Sequence, residues 1–181
     1  MSQTARLFIA VPVSDEVRRA AARLIAELRL SGADYKWVEP DNLHLTLRFF
    51  GATPLERIPE LEALLRRAAQ RPQFEISFNF VGAFDSWDDP KVVWVGVDRG
   101  AAELAALAEA FGASEEGRPF SAHLTIGRRR SRSGLERLRA AALRAGFLEL
   151  RQIVDRVVLF ESRLTPQGPK YVVCREAQVG V

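Results

Sequence analysis

The chain has 181 residues, 48% of them hydrophobic, a net charge of +3 and one cysteine. That length allows one substantial core or two small lobes sharing one. A single cysteine excludes an internal disulfide framework, so a cytoplasmic protein is expected. Of the 26 basic residues 23 are arginine, and because such a total can reflect composition alone, placement carries more meaning than number.

"RLFIAVPV" (6–13) predicts a buried strand. Its apolar run is too short to cross a bilayer, no small-residue cleavage site follows, and no membrane partner is expected. Ser14 is placed to cap a helix, with Asp15 and Glu16 in the first turn where they complement the helix dipole. Val17, Ala21, Leu24, Ile25 and Leu28 form its apolar stripe, and Ser31–Gly32 ends it. In "LHLTLRFF" (43–50) apolar and polar residues alternate. Leu43, Leu45, Leu47 and Phe49 are expected to face the core, His44, Thr46 and Arg48 the other side, and Gly51 to stop the strand. A helix follows from about Pro59 to Gln70 with Leu61, Leu64, Leu65 and Ala68 inward, then a strand over 74–84.

The second half repeats this order. It reads as a strand over 91–97, a helix over 101–111 ending at Gly112, and a strand over 120–127 with His123 and Thr125 on one face. A helix then runs from Ser133, paired with Glu136 in a capping box, to Gly146. Strands over 153–162 and 171–179 are joined by a turn through Pro166, Gly168 and Pro169. We therefore expect an α+β fold in which residues 1–181 form a single domain of two pseudo-symmetric lobes. Antiparallel-rich sheets would set the two motif strands face to face across a central cleft.

Those motif strands hold the only two histidines of the chain, and each stands in a His-Leu-Thr frame. With five threonines in the chain, one His would find Thr two places on about 3% of the time by chance, and both would do so on the order of one in a thousand. On a strand, residues i and i+2 share a face, so each motif aims an imidazole and a hydroxyl into the same space. Two opposed motifs supply what in-line displacement at phosphorus needs: one histidine to accept a proton and one to give it. The hydroxyls can hold the non-bridging oxygens. Other chemistries fit worse. A structural zinc site wants three or four ligands at recognisable spacing, and no phosphate-loop, dinucleotide-binding or G-x-S-x-G motif occurs.

"WVEPDNLHLTLRFFG" and "FSAHLTIGR", with the elements around them, resemble the 2H phosphoesterase superfamily. Within it they are most similar to the bacterial and archaeal RNA 2′,3′-cyclic phosphodiesterase branch, historically called 2′-5′ RNA ligase. The similarity runs from "RLFIAVPV" to the "GPKY" turn. One departure is Ala122, where the family often has Pro. The resemblance implies a bilobal fold with a central cleft and no cofactor or metal. It implies His44 as general acid, His123 as general base, and Thr46 and Thr125 as phosphate-binding residues. The implied reaction hydrolyses RNA 2′,3′-cyclic phosphate ends to 2′-phosphates, with 2′-5′ ligation as its possible reverse. The implied partner is RNA with such ends, tRNA fragments among them, bound by a monomer.

Further substrate contacts are expected from Arg48, on the polar face of the first motif strand, and from Arg128 and Arg130 in "GRRRSRSG". Among the aromatics Phe8, Trp37, Phe49, Trp87, Trp94 and Tyr171, Phe49 and Trp94 read as core, and Tyr171 and Trp37 as cleft residues. Two alternatives stay open at this level. One is an enzyme acting on a small cyclic phosphate such as an ADP-ribose cyclic phosphate; the other is a non-catalytic RNA- or nucleotide-binding module.

Overall fold

In a computed structural model, residues 3–112, 120–147, 149–166 and 168–180 are described. Chain order runs β1 (Thr4–Pro12), α1 (Asp15–Arg29), β2 (Tyr35–Trp37), β3 (His44–Pro54), α2 (Ile58–Ala68), β4 (Phe74–Phe84) and β5 (Val92–Val97). It continues with α3 (Ala101–Glu109), β6 (His123–Arg129), α4 (Leu135–Ala145), β7 (Leu150–Val154), β8 (Arg156–Thr165) and β9 (Gly168–Gln178).

Two antiparallel sheets form, in the orders β3-β1-β8-β9 and β2-β6-β5-β4-β7. Setting β3-β1-β8-β9 beside β6-β5-β4-β7 shows the duplication: each motif strand lies beside the first strand of its own half. The sheets nevertheless do not divide the chain at its midpoint. The first half sends β4 into the second sheet, and the second half sends β8 and β9 into the first. The helices cross over as well, with α1 packing on β6, β7 and α4, and α3 on β3. The buried side chains of both sheets join one hydrophobic cluster, and β3 and β6 approach each other across the space between the sheets.

Local chemistry accounts for much of this. Ser14 Oγ accepts from the Val17 N–H at 3.2 Å and caps α1, whose stripe from Val17 to Leu28 is buried as the 3.6-residue period requires. Gln152 on β7 binds the same junction, accepting from Ser14 N at 2.8 Å and donating to Pro12 O at 3.1 Å. It thereby ties the end of β1 to the other sheet. The expected capping box at Ser133 does not form. Helix α4 is entered through Gly134 at φ 78°, packed so closely against Ala33 that a Cβ would lie 2.9 Å from its Cα, and the left-handed turn displaces a side-chain cap. The expected strand over 153–162 is two strands, because Asp155 lies between β7 and β8 and accepts from the Val179 N–H.

The motif strands are not plain alternating ladders. In β3, Ile9 pairs with Arg48 and Ala10 with Thr46, leaving Leu47 as a bulge. In β6, Val93 pairs with Gly127 and Trp94 with Thr125, leaving Ile126 as a bulge. The extra residue follows the threonine in both motifs and reverses the phase of the side chains after it, until in β3 a second bulge at Phe50 restores it. Gly51, at φ 67°, does not stop β3, which runs on to Pro54.

Candidate active site

Each histidine is held in the same way. His44 Nδ1–H donates to the Asn42 carbonyl at 2.7 Å, and His123 Nδ1–H donates to the Ser121 carbonyl at 2.7 Å. A carbonyl can only accept, so the neutral ring keeps its proton on Nδ1 and presents a lone pair at Nε2. At His44 that lone pair faces Thr46 Oγ1, 2.9 Å away. Asn42 is itself anchored, its amide donating to Pro169 O at 2.8 Å and joining the turn before β3 to the β8–β9 hairpin.

Both rings are wedged among aromatic side chains of their own sheets. His44 lies 4.9 Å from Phe8 and 5.2 Å, edge-on, from Tyr171; His123 lies 4.9 Å, edge-on, from Phe84 and 6.2 Å from Trp94. Burial disfavours the imidazolium. It pushes His44 down to about 4 against the opposing pull of the Asn42 carbonyl, with Arg128 and His123 adding repulsion. His123 is lowered for the same leading reason, opposed by the Ser121 carbonyl and helped by Arg128. Burial also raises the Tyr171 phenol, which stays a neutral donor.

Between the motif strands is a cavity of about 160 Å³ lined by Phe8, Val38, Asn42, His44, Thr46, Phe49, Thr125, Arg128, Ser162 and Tyr171. His123 stands just outside that lining, on the face of β6 that carries Thr125. Of the residues expected from the sequence, His44, Thr46, Thr125, Arg128 and Tyr171 are thus brought together. Arg48 and Arg130 are not. The Leu47 bulge turns Arg48 away, so that its Nη1 donates to Gly112 O at 3.3 Å and its guanidinium lies over Phe50. The same reversal turns Phe49 into the cavity. Expected in the core, it is 49% exposed. Phe49 and Arg128 occupy equivalent places, each five residues after its histidine.

Duplication of the whole arrangement, down to the bulge, points to two copies of one phosphoester-binding unit. The family model described as LigT-like phosphoesterase matches residues 11–94 and again 96–171, once over each motif. The chain belongs to the LigT-like phosphoesterase family. An Archaeoglobus fulgidus RNA 2′,3′-cyclic phosphodiesterase is 37% identical over 92% of this chain and 96% of the relative. The Thermotoga maritima protein of the same name is 34% identical over 96% and 95%. Among solved structures, a Thermus thermophilus protein superposes with TM-score 0.74 at 29% identity, covering 96% of this chain and 97% of that one. Escherichia coli LigT shares the fold, with TM-score 0.77 at 23% identity over 99% and 100%.

In this LigT-like phosphoesterase the arginine run after the second motif has partners of its own. Arg129, 15% exposed at its side chain, pairs with Asp89 at 2.6 Å, and Arg132 shares that carboxylate at 2.8 Å. Arg130 is exposed outside the cavity, where its backbone N–H binds Asp34 O. The run therefore fastens the end of β6 to the segment before β5. Neutralising Arg129, Arg130 and Arg132 together should lower the thermal midpoint. The log–log salt slope for binding a single-stranded oligonucleotide should change by less than the roughly 0.7 that one lost phosphate contact removes. Titrations at several salt concentrations check this.

Three placements escaped sequence reasoning. Lys36 sits opposite Arg128 in the β2–β6 ladder, its Nζ close to Gly168. Trp37, expected in the cleft, alternates to the other side, where its ring stacks on Tyr35 and covers Gly127. Asn42 and Ser121 act through main-chain carbonyls, which leave no residue-type signature. Among the described residues no cluster of three or more His, Cys, Asp or Glu side chains is placed to hold a metal.

Proposed function

We propose that this protein hydrolyses the 2′,3′-cyclic phosphate at RNA ends to a 2′-phosphate. The observation that supports it most is the matched pair of histidines, each tautomerically fixed by a carbonyl two residues upstream. With phosphate in the cavity, His123 Nε2 takes a proton from water attacking phosphorus, and His44 Nε2 gives one to the departing O3′. Thr46 and Thr125 donate to the non-bridging oxygens, and Arg128, exposed at the cavity wall without a carboxylate partner among the described residues, balances their charge. RNA, including tRNA fragments, is the proposed substrate class, and a cytoplasmic monomer the proposed acting form.

The pH dependence follows from burial. Both histidines of the free protein are depressed below 6.5. The two limbs of the kcat/KM profile, which report the coupled pair in the free enzyme, should therefore bracket an optimum on the acid side of about pH 6.5. Bound phosphate is anionic and favours both imidazolium forms, so the kcat profile should lie at higher pH. Steady-state kinetics of a nucleoside 2′,3′-cyclic phosphate in EDTA-treated buffers tests both points. Coincident profiles, or activity lost to EDTA and restored by a divalent cation, would count against the two-histidine reading.

A further inference from the structure

Beside Arg128 stands a second cation that the hydrolysis above does not use. Lys36 pairs with Arg128 in the β2–β6 ladder, so both side chains leave the sheet on the same face. Val38, two residues on from Lys36, lines the cavity, so this face is the one turned to the phosphate. Trp37, between them, covers Gly127 on the opposite face. Lys36 is exposed and makes no ion pair among the described residues, and no carboxylate lines the cavity. Other cations nearby are already matched: Lys91 pairs with Asp85 at 2.7 Å, and Arg129 and Arg132 with Asp89.

The head of Lys36 does not stay on its own sheet. It crosses to the β8–β9 hairpin, where a Cβ on Gly168 would lie 3.8 Å from its Nζ. Gly168 offers it no side chain, and the Gly168 carbonyl accepts instead from Thr165 Oγ1 at 2.7 Å. The same hairpin leads through Pro169, held by the Asn42 amide, to Tyr171, whose ring meets His44 edge-on. The ammonium thus stands towards the His44 side of the cleft. Arg128 lines the cavity, and its charge is felt by both histidines and Tyr171; Lys36 lies outside that lining and is felt by none of them. One cation faces the reacting phosphate, and the other is set back from it.

We propose that Lys36 binds the phosphodiester that joins the terminal nucleoside of the substrate to its 5′ neighbour. This rests on the hydrolytic reading, which puts the ribose beyond O3′, on the side of His44. A nucleoside 2′,3′-cyclic phosphate carries one negative charge, and Arg128 balances it. An RNA end adds another on the far side of the same ribose, and Lys36 supplies the charge that meets it. A compact ammonium on a flexible stem suits a diester whose orientation the reaction does not fix. Such a contact reads no base, so it favours a strand over a mononucleoside whatever the sequence.

The test compares hydrolysis of adenosine 2′,3′-cyclic phosphate with that of 3′-5′-linked adenylyl-adenosine ending in the same cyclic phosphate. Wild type, Lys36→Met and Lys36→Arg are measured on both, with ADP-ribose 1″,2″-cyclic phosphate run in parallel. Lys36→Met keeps the apolar stem without the charge. It should lower kcat/KM for the dinucleotide by about fivefold, the upper range for one exposed ion pair. That loss should fall on KM, because the contact is made equally before and during the reaction. Lys36→Arg should keep most of the rate. Wild-type preference for the dinucleotide should shrink as salt is raised, and that of Lys36→Met should change less. Mononucleoside hydrolysis should stay within about twofold throughout. An unchanged dinucleotide rate in Lys36→Met, or equal losses on both adenosine substrates, would overturn the proposal. So would a loss confined to the ADP-ribose compound. Each of these leaves the hydrolytic reading standing, since the mononucleoside is still turned over by the wild type. A wild type inactive on every substrate would remove both.

Discussion

Replacing either histidine by alanine should lower cyclic phosphate hydrolysis by about 10² to 10⁴-fold, the range that a positioned general acid or base supplies. Each Nε2 carries one of the two proton transfers, and no other group in the cavity can take over: Tyr171 stays protonated, and the remaining polar side chains are hydroxyls, an amide and a guanidinium. The double variant should be little worse than either single one, because residues acting as a unit are strongly non-additive. Folding should survive, since the rings end strands whose ladders are made by backbone groups. His44 is also a half-buried neutral imidazole, its pKa pushed down to about 4 from the ordinary 6.5. Between those values the unfolded chain binds more protons, so the wild type loses stability as pH falls through that window. His44→Ala should lose less there. Circular dichroism and thermal melts at pH 4.5 and 7.5, run beside the kinetics, check this.

The second large effect is expected at Arg128. Its charge reaches both histidines and Tyr171, and in each case it opposes protonation or favours deprotonation. Arg128→Met should reduce kcat/KM by about 10²-fold, the loss typical of one donor to a developing oxyanion. At the same time both histidine pKa values should rise towards the ordinary value, because a cation that repelled each imidazolium is gone. The variant should therefore be slower at every pH yet have its kcat/KM optimum at higher pH than the wild type. A substitution that only loosened the cleft would lower the rate without moving the profile in that direction. Full pH–rate profiles of both proteins distinguish the two.

Much of this architecture was legible in the residues. The apolar run of β1, the helical stripes of α1 and α2, the Ser14 cap and the glycine at Gly146 all act through local chemistry, and the structure keeps them. The repeated His-Leu-Thr frame marked the site because a repeat stands out even where each copy is short. What escaped was non-local. Alternation along 43–50 assigned Arg48 to the cleft and Phe49 to the core, and a single bulge at Leu47 exchanged them. Bulges depend on the partner strand, so the period of one strand cannot report them. Trp37 went astray because β2, at three residues, is too short to show a period, and its face is set by pairing with β6. The exchange of β4 and β8 between sheets likewise follows from which edges meet, not from any one segment. Arg129 and Arg132 looked like a free cationic stretch because their shared partner, Asp89, lies some forty positions earlier.

The most direct test is to follow hydrolysis of adenosine 2′,3′-cyclic phosphate by phosphorus NMR in ¹⁸O-enriched water with EDTA present. Turnover to adenosine 2′-phosphate alone, with one ¹⁸O on phosphorus, and its loss in both His44→Ala and His123→Ala, is the predicted result. Formation of the 3′-phosphate, or full turnover in either histidine variant, would contradict it.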